Sequence, residues 1–208
     1  MTTVTAQDVQ ALRQATGAGM MDAKRALQEA DGDFSRASDL LRERGLAAAA
    51  KRGEREQTEG AVGSYLHMQA GRPTIGVLVE LAAETDFVSK SEEFQAAAND
   101  LAMHVAAARP GWVRREDVPE AVLAKEREMF AAQARNEDKP ENVIDKIVEG
   151  KLSAFYRDNV LYDQQFIKTD KFDGTVGDMV SQLAAAMGEN ISIARFARLQ
   201  VGESASHE

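Results

Sequence analysis

The residues with the best chance of doing chemistry in this sequence are three histidines, His67, His104 and His207, because imidazole is the side chain that titrates near neutral pH. No two of them stand at a helical metal-ligand spacing, and no serine and carboxylate join one of them in a triad-like set. His104 falls beside an apolar stripe and His207 lies near the end of the chain. Cysteine is absent, which removes disulfides, thiolate metal sites and cysteine nucleophiles. The acidic pair Glu92–Glu93 opens an apolar periodic run, where carboxylates suit the positive end of a helix dipole. "GAGMMD" at 17–22 has the spacing of a truncated dinucleotide fingerprint. No strand signal precedes it, however, and Asp22 occupies the third glycine position, so it reads as a turn between helices. No phosphate-cradling GxxxxGK[ST] stretch occurs. These residues point to no catalytic site, no metal site and no cofactor, and the chain reads as something other than an enzyme.

Two apolar features remain. "TDFV" at 85–88 sets a large aromatic beside a carboxylate in what reads as a connection. Large apolar residues are usually buried, which would turn Phe87 inward, whereas its place at a loop tip would turn it outward for a partner. "GMMD" at 19–22 starts a helix with two methionines. Neighbouring helical positions lie about 100° apart, so one methionine can face a core while the other points out, and methionine adapts to varied partner surfaces.

The elements that must carry these residues are set by periodicity and punctuation. Thr5 with Asp8 resembles a capping box at the head of a helix with Val9 and Leu12 on one face, which Gly17 stops. A second helix places Met20, Ala23 and Leu27 on one side, and "DG" at 31–32 turns the chain. Asp33 caps a third helix through Ala37, Leu40 and Leu41, ended by Gly45. These three helices form a module over 1–45, near the lower size limit for independent folding, with a solvated helical linker after it at 46–58. "GAVGSYLHMQ" and "TIGVLVELAA", separated by "AGRP", read as an antiparallel hairpin, with Ile75, Val77, Val79 and Leu81 on one face. A helix starting near Ser89 or Ser91 carries the stripe Phe94, Ala98, Leu101, Val105 and Ala108. Further helices run from Pro119, from about 140 to Val148 with a stop at Gly150, from Lys151, and through Val176, Val180, Leu183 and Met187. "ISIARFARLQV" reads as a third strand, with Ile191, Ile193, Arg195 and Ala197 on one face. The expected fold is α+β: the helical module, then a three-stranded antiparallel sheet packed with helices over 59–202, and a disordered tail at 203–208.

The chain has 208 residues and a formal net charge of −9. Residues 1–57 hold nine basic and nine acidic side chains, so the remainder carries the whole excess. An acidic body repels phosphate backbones, which disfavours direct nucleic-acid binding and leaves a protein partner open. No run approaches the roughly 18 apolar residues of a membrane span. The start, "MTTVTAQDVQALRQATG", lacks a basic stretch leading into an apolar one, so no secretory leader is expected and the expected location is cytoplasmic.

"LRQATGAGMMDAKRAL", "VLVELAAETDFV", "EGKLSAFY" and "GENISIARFARL" resemble the signature segments of the elongation factor Ts family, in matching order along nearly the whole chain. "TGAGMMD" and "ETDFV" together are highly specific. The resemblance implies a guanine-nucleotide exchange factor that binds elongation factor Tu in its GDP-bound and nucleotide-free states. It implies that the N-terminal module is ubiquitin-associated-like and docks on the GTPase domain of Tu, with Leu12, Arg13, Gly19, Met20 and Met21 at the contact. It further implies that Thr85, Asp86, Phe87 and Val88 form the second contact, with Asp86 and Phe87 wedged near the magnesium of the bound nucleotide so that GDP leaves. The factor itself supplies no nucleotide ligand. The single set of three strands resembles the short form of the family, in which two chains together do the work of two core subdomains. A homodimer is therefore expected, with the C-terminal strand and the helices around Phe155 and Phe166 as interface.

The sequence departs from the family pattern at three places. Ala23 stands where members often have Cys, "LYDQQF" at 161–166 where they have "LLEQPF", and Ala194 where a double Arg precedes the last Phe. These departures bear on the C-terminal contact surface and leave the two exchange segments intact. The rival expectation is an adaptor whose helical module binds a ubiquitin-like protein without affecting GDP release. A small enzyme would need convergent, shifted titratable groups, and the sequence offers none.

Overall fold

A computed structural model of the chain describes residues 4–16 and 18–203, with side chains for all of these except 46–51. The expected stop at Gly17, His207, and the tail beyond Glu203 lie outside the described residues. The elements run α1 (Ala6–Thr16), α2 (Met20–Glu29), α3 (Phe34–Gly53), β1 (Glu59–Gln69), β2 (Arg72–Ala83), α4 (Asp86–Ser89), α5 (Glu92–Ala108), α6 (Glu120–Asn136), α7 (Glu141–Asn159), α8 (Val176–Met187) and β3 (Ser192–Gln200). The sheet is antiparallel in the order β1-β2-β3, so the α+β expectation holds. Among the described residues no helix is long and apolar enough to cross a membrane.

The chain divides into two compact units. One gathers the chain up to Gly60 with Ala82–Lys90 and Val180–Ser192, and the other gathers Ala61–Leu81, Ser91–Met179 and the chain from Ile193 on. In the first unit, α1 opens on the expected reciprocal cap. The Asp8 carboxylate accepts from the Thr5 amide at 2.9 Å while the Thr5 hydroxyl oxygen accepts from the Asp8 amide at 3.2 Å. Asp33 caps α3 through the Arg36 amide at 3.0 Å. The three helices close on Val9, Leu12, Ala23, Ala26, Leu27 and Leu41. Gly45 does not end α3, which continues to Gly53. One glycine costs about 1 kcal/mol in a helix, too little to stop one that good helix formers continue on both sides.

In the second unit, β1 and β2 are joined by only Ala70 and Gly71, both in the left-handed region at φ 50° and 78°, the backbone of a tight two-residue hairpin. Val77, Val79 and Leu81 are fully inward, as the alternation predicts. The phase slips after Ile193. Ile193 is buried, but Ala194 and Arg195 are both exposed, and Arg195 pairs with Glu80 on the outer face at 2.5 Å. Arg195 and Ala197 therefore do not share a face with Ile193 as expected, since a one-residue slip flips every later side chain. Gly63 makes the closest approach in this unit. A Cβ there would collide with the Ala98 carbonyl of α5. The neighbouring Ser64 amide donates to Asn99 Oδ1 at 3.0 Å.

Of two helix boundaries, one settles an expected choice and the other differs from expectation. Ser91, not Ser89, caps α5, its hydroxyl oxygen accepting from the Phe94 amide at 3.3 Å. Gly150 does not interrupt α7, because the helix is anchored on both sides of it: Val148, Leu152, Phe155 and Tyr156 pack with Leu123 and Phe130 of α6.

His104 of α5 is a structural histidine. It is 1% exposed and stacks on Phe166, with ring centroids 5.8 Å apart. Its Nδ1 accepts from the Ile167 amide at 3.2 Å, which leaves Nε2 to donate to Gln164 Oε1 at 3.0 Å. Gln164 in turn donates to the carbonyls of Asp158 at 2.9 Å and Ala108 at 3.3 Å. Phe166, at 2% exposure, is thus a core residue.

Burial pushes the His104 imidazole below its usual value, against an opposing pull from Gln164. A folded-state pKa below the unfolded one means the unfolded chain binds more protons. The contribution of neutral His104 is therefore complete above the ordinary histidine pKa of about 6.5 and is lost as pH falls towards the folded value. The melting temperature should drop between about pH 7.5 and pH 5, and His104→Asn should flatten that part of the profile. Melting curves by circular dichroism across this range check it.

Candidate functional site

The site begins where β2 leaves the sheet. Thr85 is extended (φ −126°, ψ 156°) and caps a single helical turn, α4, its hydroxyl oxygen accepting from the Val88 amide at 3.5 Å. One turn has four directions to distribute, and the sequence divides them. Val88 and Ser89 are buried at 5% and 6%, while Asp86 and Phe87 face solvent. Phe87 is 84% exposed, more than any other large apolar side chain described. Both readings of "TDFV" had left a loop tip, and the structure replaces it with a capped turn that holds the ring outward. Lys90, one turn on, binds Asp86 Oδ2 at 2.6 Å. The hydrogen bond and charge of Lys90 hold the Asp86 carboxyl below its usual range, and the same bond raises the Lys90 ammonium. Asp86 is therefore an oriented anion beside an exposed ring.

The base of the turn is tied to segments far away in sequence. Glu189 comes just after α8 and accepts at Oε2 from the amides of Glu84 and Thr85, both at 3.1 Å, and at Oε1 from the Thr85 hydroxyl at 2.6 Å. Glu84 reciprocates, accepting from the Asn190 amide at 2.5 Å, with the Arg55 guanidinium 3.3 Å from the same carboxylate. Asn190 donates to the Arg55 carbonyl at 2.8 Å, and its own carbonyl accepts from Gln57 at 2.9 Å. Glu84 and Thr85 lie beside and within the segment that the sequence singles out. Glu189, Asn190, Arg55 and Gln57 were missed, because contacts across more than a hundred residues leave no periodic trace. The one local signal was "MGEN": Gly188 sits at φ 73° after the last turn of α8, its amide on the Ala184 carbonyl at 2.9 Å. A glycine in that conformation marks a helix end that re-aims the chain.

The second cluster lies at the start of α2. Met20 and Met21 are both exposed, at 60% and 66%, so neither enters the core and the expected division of one in and one out is corrected. The buried stripe of α2 is Ala23, Ala26 and Leu27, a spacing of three and four that begins only after the methionines. Gly19 precedes them as an extended N-cap. Both methionines line a groove of about 590 Å³ with Val4, Val9, Arg13 and Lys24. Two expected contact residues present no surface. Leu12 is fully buried in the module core and Val88 is buried beneath α4, so each acts through the element it anchors. Among the described residues no group of three histidines or carboxylates could hold a metal ion.

A model of the family described as Elongation factor TS matches residues 39–203. The chain belongs to the elongation factor Ts family. It is 54% identical to elongation factor Ts of Carboxydothermus hydrogenoformans over 200 residues, covering 96% of this chain and 90% of that one. Against elongation factor Ts of Moorella thermoacetica the identity is 52%, covering 96% of each chain. Against that of Thermosipho melanesiensis it is 50%, covering 96% of this chain and all of that one. Membership places the chain among the exchange factors of translation elongation.

A ring that touches solvent over most of its surface supports little of its own fold. Phe87→Ala should therefore shift stability by no more than about 0.5 kcal/mol, where truncation of a core Phe would cost about 3–5 kcal/mol. Urea unfolding of the two proteins measures the difference.

Proposed function

We propose that this chain binds elongation factor Tu and promotes GDP release by pressing Asp86 and Phe87 against the magnesium and phosphate site of the GTPase. The exposure of Phe87 on a capped, tethered turn carries this reading. Linkage supplies the mechanism. A factor that binds nucleotide-free Tu more tightly than GDP-bound Tu weakens GDP binding by the same ratio. An apolar wedge produces that difference if it gains burial only in the distorted partner. Burying a phenylalanine is worth about 1.5–3 kcal/mol, roughly tenfold to a hundredfold in an equilibrium. Asp86, oriented by Lys90, adds a negative charge, which opposes the phosphates and competes for their metal. The N-terminal module over 1–45 docks separately through Arg13, Gly19, Met20 and Met21, and the helical linker at 46–58 joins it to the core at 59–202. The setting is the cytoplasm, where elongation takes place, and the acidic body engages a protein surface, not nucleic acid or membrane.

The chain works as a homodimer. Supporting this is an unusually apolar outer face of the sheet. Val62, Leu66 and Met68 of β1 alternate outward with Leu78 of β2, and all four are more than half exposed. Leu199, on the outward phase that Arg195 begins in β3, is 77% exposed. Monomeric proteins rarely leave so large a contiguous apolar patch uncovered, and a second copy of the same face would cover it.

Catalytic amounts of the protein should speed release of a fluorescent GDP analogue from Tu at physiological magnesium. Phe87→Ala should slow that release by roughly tenfold or more, and Asp86→Ala by less. No acceleration by the unaltered protein would sink the exchange reading. For the dimer, light scattering at tens of micromolar should give twice the chain mass, and Leu66→Glu with Leu199→Glu should return the mass of one chain. A single-chain mass for the unaltered protein would refute it.

A further inference from the structure

We propose that Glu189 is a positioning residue for exchange, acting through Thr85 to set the direction of Phe87. The inference rests on the wedge reading and adds to it a residue 102 positions away from the ring. A four-residue helix cannot hold itself, because the first turn fixes several residues in return for one hydrogen bond. Its four leading amides also lack internal partners. Within the turn the Ser89 hydroxyl donates to the Asp86 carbonyl at 3.2 Å and Lys90 pairs with Asp86 at 2.6 Å, but the lead into it depends on the cap at Thr85, whose hydroxyl can rotate about its side chain. Glu189 removes that freedom. By accepting the Thr85 hydroxyl proton at 2.6 Å it leaves the oxygen's lone pairs free to accept from the Val88 amide at 3.5 Å. Its other oxygen takes the two amides that lead into the turn, at 3.1 Å each. One carboxylate thus satisfies three donors around the residue that precedes Asp86 and Phe87.

Glu189 is in turn located by its own surroundings. Gly188 turns the chain out of α8, and the next amide, that of Asn190, is held by Glu84 at 2.5 Å. Two carboxylates therefore each hold the other's backbone: Glu189 takes the amides of 84 and 85, and Glu84 takes that of 190. Arg55 beside Glu84 offsets the repulsion between them. An arrangement that served the fold alone would need only one of these ties. The two contacts on Thr85 and the one on the Glu84 amide are directed at the turn that carries the exposed ring.

The test is a double-mutant cycle on GDP release at saturating factor, with Glu189→Ala, Phe87→Ala and the two combined. If Glu189 works by aiming Phe87, Glu189→Ala slows release by about tenfold, the low end of what a lost hydrogen bond to a charged group costs. In the Phe87→Ala background it then slows release little further, because coupled residues are not additive. Circular dichroism should show the fold retained, and amide exchange at Thr85 and Val88 should quicken. Glu189→Gln keeps one oxygen acceptor and loses the charge, and should fall between. It carries the same cycle if Glu189→Ala melts below the assay temperature. Release at the unaltered rate in Glu189→Ala overturns the proposal while leaving the wedge intact, as does a slowing that multiplies fully with that of Phe87→Ala. Normal release by Phe87→Ala alone removes the wedge reading, and this proposal with it.

Discussion

The second unit depends on how closely β1 is pressed against α5. Gly63 brings the backbone of the strand so near the Ala98 carbonyl that no side chain fits between them. Asn99 closes the same junction by accepting the Ser64 amide. Backbone packed on backbone at this range leaves few alternative seatings, because close-packed interiors do not deform continuously. The inward stripe of β2, Val77, Val79 and Leu81, is buried as a consequence. That strand ends at Ala83, and the cap of the functional turn, Thr85, stands two residues further along the chain.

Two sets of apolar side chains stay exposed at the starts of helices. Phe87 on α4 and Met20 with Met21 on α2 all sit in the first turn of a helix, just after an extended capping residue, Thr85 or Gly19. The first turn is where a helix can carry side chains that its buried stripe does not claim. In α2 the stripe begins at Ala23, and in α4 it falls on Val88 and Ser89. Each helix is thus anchored by small or branched residues and displays large ones. That is the arrangement expected when apolar surface is kept for a partner that supplies the missing cover.

Much of this was legible in the sequence. The Thr5–Asp8 box, the Asp33 cap, the inner stripe of β2 and the stripe of α5 are local patterns, and the structure matches them. The failures have physical causes. Gly45 and Gly150 were read as stops, yet a single glycine is outweighed by good helix formers around it, as at Gly45, or by packing on both sides, as at Gly150. The one turn of α4 is too short to show a period, so "TDFV" read as a loop. Periodicity assigned Met20 to a core that begins one turn later. Leu12 and Val88 belong to the two recognisable segments but are buried, since a motif records which residues occur together and not which of them face outward. The tie from Glu189 to Thr85 could not be read at all, because it joins segments that only the folded chain brings together.

The tether matters because of what a wedge must do. Ordering one residue's backbone on binding costs about 1–2 kcal/mol, so ordering a free four-residue loop carrying Phe87 would cost more than burial of the ring returns, about 1.5–3 kcal/mol. A turn already fixed by Thr85, Glu189 and the Glu84–Asn190 tie has met that cost during folding, and the stability comes from the buried neighbours of the turn, not from the partner. Preorganisation of this kind strengthens binding without adding any contact. If the ring is the proposed wedge, the fixed turn also makes its push directional, because a ring on a mobile loop would yield where a ring on a fixed turn does not.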